Sequence, residues 1–158
     1  MCKLIILSGP AGCGKSTWAQ NYIKENPNVI VVSRDKIRFS MLKEGEHYFS
    51  HEDEVFAKFC QIIREYLTEG KTVIADATHL NEKSRKLLID TINLDFKPEN
   101  LEVVSFKIPL FKTFEQNAQR TGPHEVVPKS VIRRMFYSQT DPKDDTFIKY
   151  KNIIYVKG

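Results

Sequence analysis

At 158 residues, with 41% hydrophobic and 28% charged side chains, the chain has the size and mix of one globular domain with a full core. No apolar run is long enough to span a membrane, and a net charge of +4 admits an acidic partner such as nucleic acid without requiring one. Cys2, Cys13 and Cys60 are odd in number and lack metal-ligand spacing, which points to reduced thiols in a cytoplasmic protein rather than a disulfide scaffold.

The chain opens on Lys3-Leu-Ile-Ile-Leu7, expected as a buried strand over 3–8. This start resembles the apolar part of a signal peptide, but it runs without a cleavage site into Gly9-Pro-Ala-Gly-Cys-Gly14-Lys15-Ser16. The octapeptide satisfies G-x-x-x-x-G-K-[ST], and a helix is expected from Ser16 to Lys24. Strand, glycine-rich loop and helix in that order make a phosphate cradle. Gly9, Gly12 and Gly14 let the backbone take positive φ and bring N–H groups to an anion, and the helix start adds donors and a positive dipole end. In such a loop Lys15 reaches the β- and γ-phosphates of a nucleoside triphosphate and Ser16 ligates Mg2+, while Cys13 and Thr17 belong to the same nucleotide site.

Further strands are expected at 29–33, 72–75, 101–107 and 152–156, with helical patterns between them. Ser33 reads as an N-cap before Arg34, Asp35, Lys36 and Arg38, and Ser50 reads as the N-cap of a helix whose apolar face runs from Val55 to Leu67 and ends at Gly70. Asn81 caps a helix to about Leu94, and two more helices are expected over 112–120 and 128–139, with Pro128 in a first turn. Alternating strands and helices imply an α/β fold with a parallel sheet covered on both faces, whose ligands bind at the carboxyl ends of the strands.

That rule selects three places. After the second strand stand Asp35 and Arg38, three apart and so on one helix face, a carboxylate able to take a proton from an attacking hydroxyl beside a cation able to hold phosphate. After the third strand Asp76 stands where an acid holds Mg2+ or pairs with Arg38; Thr78 and His79 follow it as loop hydrogen-bonders. Late in the chain Arg120, a Gly122-Pro123 break and a basic helix with Arg133 and Arg134 form a candidate lid, about 115–135. The basic groups Arg34/Lys36/Lys43 and Lys83/Arg85/Lys86 read as solvated helix faces, and Asp141 to Asp145 as an exposed acidic loop. His47 and His51, next to Glu52 and Asp53, lack the H-E-x-x-H order and read as a solvated helix start.

The segments GPAGCGKSTWA, SRDKIR, VIADATHLNEKSRK and NAQRTGPHEVVPKSVIRRM together resemble the 5′-hydroxyl polynucleotide kinases of phage and bacterial nucleic-acid repair, within the small P-loop kinases. The resemblance covers nearly the whole chain and implies a single P-loop kinase domain, 1–158, with sheet order 2-3-1-4-5 and a helical lid. It implies catalytic roles for Asp35, Lys15, Arg38 and Arg120. Asp35 would be the general base, Arg38 would bind acceptor phosphate, and Lys15 and Arg120 would clamp the donor. Asp76 matches the family acid that supports Arg38 and the acceptor, and Thr78 lies with it on the acceptor side. His79 stands where the family often has Asn, and Gln116 precedes Asn117 where it often has Arg. The implied reaction uses Mg2+, ATP or GTP, and a 5′-OH end of DNA or RNA, with no membrane; a monomer and a homo-oligomer are both compatible. A kinase for a small molecule or a modified tRNA residue, and a non-catalytic nucleotide-binding module, are the rival readings.

Overall fold

The computed structural model describes residues 3–120 and 126–158. Among these described residues five strands form one sheet: β1 (Leu4–Ser8), β2 (Ile30–Ser33), β3 (Val73–Asp76), β4 (Leu101–Lys107) and β5 (Asn152–Lys157). Their order is β2-β3-β1-β4-β5, as the resemblance implies, and every neighbouring pair is parallel. Among the described residues six helices connect them: α1 (Lys15–Glu25), α2 (Arg34–Met41), α3 (Glu52–Thr68), α4 (Glu82–Ile92), α5 (Leu110–Ala118) and α6 (Lys129–Tyr137). Each expected strand is present to within a residue or so.

Period-two alternation with both faces covered explains why β1 is apolar at each position from Leu4 to Leu7. Leu4 and Ile6 point to one face and join Phe59, Ile63 and Leu67 of α3 with Leu88 and Ile92 of α4. Ile5 and Leu7 point to the other and meet Ala19 of α1 and Phe106 of β4, with Trp18 and Tyr22 packed beside them. Both faces of the central strand are buried, as a parallel sheet between helix layers requires. Among the described residues no helix is long and apolar enough to cross a membrane.

Three local expectations need correction. Helix α3 starts at Glu52 with His51 at its N-cap, and Ser50 instead donates its hydroxyl to the His47 carbonyl at 2.6 Å. Three acids in its first turn, Glu52, Asp53 and Glu54, supply the favourable dipole interaction that the absent side-chain cap does not. Pro128 is the N-cap of α6 rather than a first-turn residue. Arg85 and Asp145 are also not surface groups. Arg85 is 0% exposed and forms a two-pronged pair with Asp145, Nε to Oδ2 at 2.9 Å and Nη2 to Oδ1 at 2.7 Å. Its remaining donors reach Ser8 Oγ, the His79 carbonyl and Thr140, so a buried cation ties the end of β1 to the chain before β5. The Asn81 cap is present as a capping box with Ser84, and Ser33 accepts from the Lys36 amide at 3.2 Å.

Candidate active site

The strand ends open onto a cleft of about 1290 Å3 lined by the P-loop, the start of α2, the end of β3 and the segment around Arg120. Gly12 and Gly14 have φ of +83° and +100°, the left-handed region that glycine reaches without strain. Gly12 also approaches α5 closely: a Cβ there would sit 3.0 Å from Asn117 Cβ. Gly9 is a correction, because positive φ is not its reason. A Cβ at Gly9 would lie 2.6 Å from Cys13 Sγ and 3.0 Å from Phe106 Cβ, so space alone demands glycine.

Lys15 is buried, and its ammonium donates to the carbonyls of Gly9 (2.9 Å) and Pro10 (2.7 Å) across the mouth of the loop. Burial beside the loop raises the pKa of the Cys13 thiol, with Lys15 opposing. The next residue, Ser16, donates its hydroxyl to Asp76 Oδ2 at 2.9 Å. Burial raises the pKa of Asp76, and the nearby Lys15 charge opposes that shift. Thr17 and Thr78 line the same cleft, and the Thr78 carbonyl accepts from the Gly9 amide at 2.8 Å, tying the P-loop to the end of β3.

Across the cleft Asp35 lies in the first turn of α2, where the dipole favours a carboxylate. Its Oδ1 accepts from Arg38 Nη1 and, at 2.9 Å, from the Tyr48 hydroxyl; its Oδ2 is 3.6 Å from Arg120 Nη2. Burial and the Asp35 charge push the Tyr48 pKa up to about 12, so this hydroxyl stays a donor near neutrality. The four residues Lys15, Asp35, Arg38 and Arg120 therefore line one cleft.

The partner of Arg38 differs from expectation. Asp76 bonds Ser16, and Arg38 is instead held by Glu52, Nε to Oε2 at 3.0 Å and Nη2 to Oε1 at 2.6 Å. Arg34 donates to the same Oε1 at 2.7 Å and lies over the Phe56 ring, so Glu52 serves two arginines. Burial opposes ionisation of Glu52, but bonds and charge from Arg38 and Arg34 outweigh it and hold its pKa below the usual carboxylate range. Sequence spacing carries no signal for this acid, which sits 14 residues from Arg38 in a helix start that reads as solvated.

His79 is a buried structural residue, with φ +40° and Nδ1 2.8 Å from the Leu7 carbonyl. Burial pushes its pKa down to about 3. In the candidate lid, the Asn117 side chain clamps both backbone groups of Val127, at 2.7 and 2.9 Å, and so joins α5 to the approach of α6. The Gly122-Pro123 break lies outside the described residues. His51 Nε2 is 2.7 Å from Glu46 Oε2, and no cluster of three metal-ligating side chains occurs among the described residues.

An AAA domain family model (AAA_33) matches residues 4–142. A chain of the Pnkp1/Rnl/Hen1 RNA repair complex superposes with a TM-score of 0.73 at 25% identity, covering 94% of this chain and 47% of that one. The chain thus spans about half the length of that relative. A gluconokinase from Sinorhizobium meliloti 1021 (15% identity, TM-score 0.64, 98% and 82% covered) and a fungal RNA kinase (16%, 0.63, 99% and 75%) share the fold. A glycine-rich loop at the carboxyl edge of a 2-3-1-4-5 sheet and a match over residues 4–142 lead to one conclusion: the chain belongs to this AAA domain family and has the fold of the small P-loop kinases.

Proposed function

We propose that this domain is a 5′-hydroxyl polynucleotide kinase, moving the γ-phosphoryl group of ATP or GTP to the 5′-OH end of DNA or RNA. One observation carries the reading: Asp35 and Arg38 share a wall of the cleft that also holds Lys15, with Arg120 3.6 Å from the same carboxylate. In this reading residues 1–158 act as one domain and 115–135 as its lid, in a cytoplasmic setting consistent with the free thiols of Cys13 and Cys60.

The acceptor's 5′-oxygen attacks the γ-phosphorus in line while its proton passes to Asp35. The new O–P bond forms as the bond to the bridging oxygen breaks, and that electron pair stays on the β-phosphate. Lys15 exchanges the carbonyls of Gly9 and Pro10 for β- and γ-phosphate oxygens. Arg120 meets the charge that develops on the donor, and Arg38 holds the first phosphate of the acceptor. Tyr48, a permanent donor, orients the Asp35 carboxylate. Thr78 and Asp76 border the acceptor. The remaining P-loop residues, Gly9, Gly12, Cys13, Gly14, Ser16 and Thr17, surround the donor phosphates.

The oxygens of Ser16 and Asp76, 2.9 Å apart, are a hard donor pair that fits Mg2+, with phosphate oxygens and water as its other ligands. When bound, the cation neutralises charge on the β- and γ-phosphates.

Likeness to a gluconokinase favours a second reading, a kinase for a small hydroxylated acceptor such as a sugar, nucleoside, antibiotic or modified tRNA residue. The test uses γ-labelled ATP, Mg2+ and a 5′-OH oligonucleotide beside the same oligonucleotide already 5′-phosphorylated. Label on the first alone is the expected result. ATP consumed only with a small acceptor transfers the assignment to the second reading, and ATP bound without any turnover leaves a non-catalytic module.

A further inference from the structure

The wall of the cleft beside Asp35 is aromatic. Phe39, Tyr48 and Phe49 line it together with His47. The Tyr48 hydroxyl that donates to Asp35 belongs to a ring packed edge-on against Phe49, with centroids 4.6 Å apart and planes at 83°. The Phe49 ring is tilted against the His47 imidazole at 6.0 Å, and Arg38 lies over both the Tyr48 and Phe49 rings, at 4.6 and 5.8 Å. Yet Phe49 is 46% exposed.

The loop that presents this ring is pinned by its own hydrogen bonds. Lys43 N donates to Glu46 Oε1 at 2.7 Å, Glu46 Oε2 meets His51 at 2.7 Å, and the amide and hydroxyl of Ser50 both reach the His47 carbonyl, at 3.0 and 2.6 Å. An apolar ring held in water by a fixed loop, and packed on the tyrosine that donates to a candidate base, is pre-organised for a flat partner. Sugar hydroxyls would call for polar partners at this spot, whereas a heterocyclic base offers a π-face that stacks on aromatic side chains whatever its identity. A 5′-terminal base lies one ribose away from the oxygen that Asp35 would deprotonate, and the phosphate on the far side of that ribose is within the reach assigned to Arg38.

We infer that Phe49, backed by Tyr48 and flanked by His47, is a stacking platform for the 5′-terminal base of the acceptor, without base-sequence preference. The inference rests on the polynucleotide kinase reading, and the experiment separates the two. Label transfer is measured for wild type, Phe49→Ala and Phe49→Tyr on two 5′-OH oligonucleotides, identical except that one has an abasic first nucleotide. Thermal melting of each variant checks its fold.

With an ordinary terminal base, Phe49→Ala raises the acceptor KM by about 5- to 150-fold, the effect of removing one base-stacking contact. Phe49→Tyr, which keeps the ring face, recovers most of that affinity. On the abasic acceptor wild type already has the raised KM, and Phe49→Ala adds little. An unchanged KM in Phe49→Ala, or an equal loss on both acceptors, overturns the platform while the kinase reading stands. No transfer by wild type to either oligonucleotide overturns both.

Discussion

Glu52→Gln is the substitution that most directly probes how the cleft holds Arg38. In the native arrangement Glu52 spends both oxygens on Arg38 and shares one with Arg34, so the guanidinium has two of its three nitrogens fixed from behind. The third is left facing Asp35 and Tyr48. Glutamine keeps one carbonyl oxygen but turns its NH2 donors toward guanidinium N–H groups, so one charge-assisted bond and the compensating charge are lost. Such bonds contribute about 1.5–3 kcal/mol. Glu52 is 29% exposed, so water replaces part of the loss and about 2 kcal/mol is expected. At this chain length that lowers Tm by about 4–8 °C. Under the proposed function the freed Arg38 swings further onto Asp35 and competes with the acceptor. The KM for a 5′-OH oligonucleotide then rises while the KM for ATP, bound at the other side of the cleft, does not. The pH dependence adds a check with a definite sign. Glu52 has its pKa lowered on folding, so its stabilisation is complete above the unfolded value of about 4.3 and fades as pH falls through the lower folded value. The melting gap between wild type and variant is therefore constant near neutrality and closes in acid. A Tm within a degree of wild type with unchanged acceptor KM refutes the reasoning, and so does an equal rise in both KM values.

Asp35→Ala removes the proposed base and slows turnover by about 10²–10⁴-fold with ATP binding retained; full activity in the label-transfer assay removes Asp35 from that role. Asp145→Asn leaves the buried Arg85 charge uncompensated, for a loss of about 3–5 kcal/mol and a Tm drop of about 6–20 °C, and a drop below about 2 °C contradicts the buried-pair account. His79, its pKa pushed down to about 3 by burial, is neutral when folded and protonates when unfolded below about pH 6.5. Wild type therefore loses about 1.4 kcal/mol more per pH unit than His79→Asn between roughly pH 6 and 4 in denaturant titrations, and parallel slopes defeat the assignment.

Much of the fold was legible because its signals are local. Five apolar runs and the helical periodicity between them depend only on neighbours in sequence, and each became a strand or helix near its expected bounds. Caps made by a side chain onto its own helix, Ser33 and Asn81, were equally readable. The failures share a different property. Arg85 reads as one of three surface cations because Lys83 and Lys86 flank it, but its partner Asp145 lies 60 residues away and only the sheet brings the two together. Charge runs report average exposure and say nothing of the one member that faces inward.

The candidate site divides along the same line. The P-loop and the Asp35–Arg38 pair are short-range patterns, whereas Tyr48 and Phe49 enter on a loop, and Glu52 on the helix start that follows it, through a path no spacing rule encodes. Arg38 carries the point furthest. The family resemblance implies Asp76 as its partner, one of the two roles that the residues alone leave open for that acid. Besides Asp35, which Arg38 already meets, the fold offers two acids, and Ser16 at the head of α1 takes Asp76, which leaves the first turn of α3 to supply Glu52. Which carboxylate serves which cation is thus decided by competition among side chains that converge on one edge of the sheet. That competition separates the cleft's acids: Asp76 is bonded to Ser16 at the head of α1, and Glu52 holds the arginine that, under the proposed function, meets the acceptor.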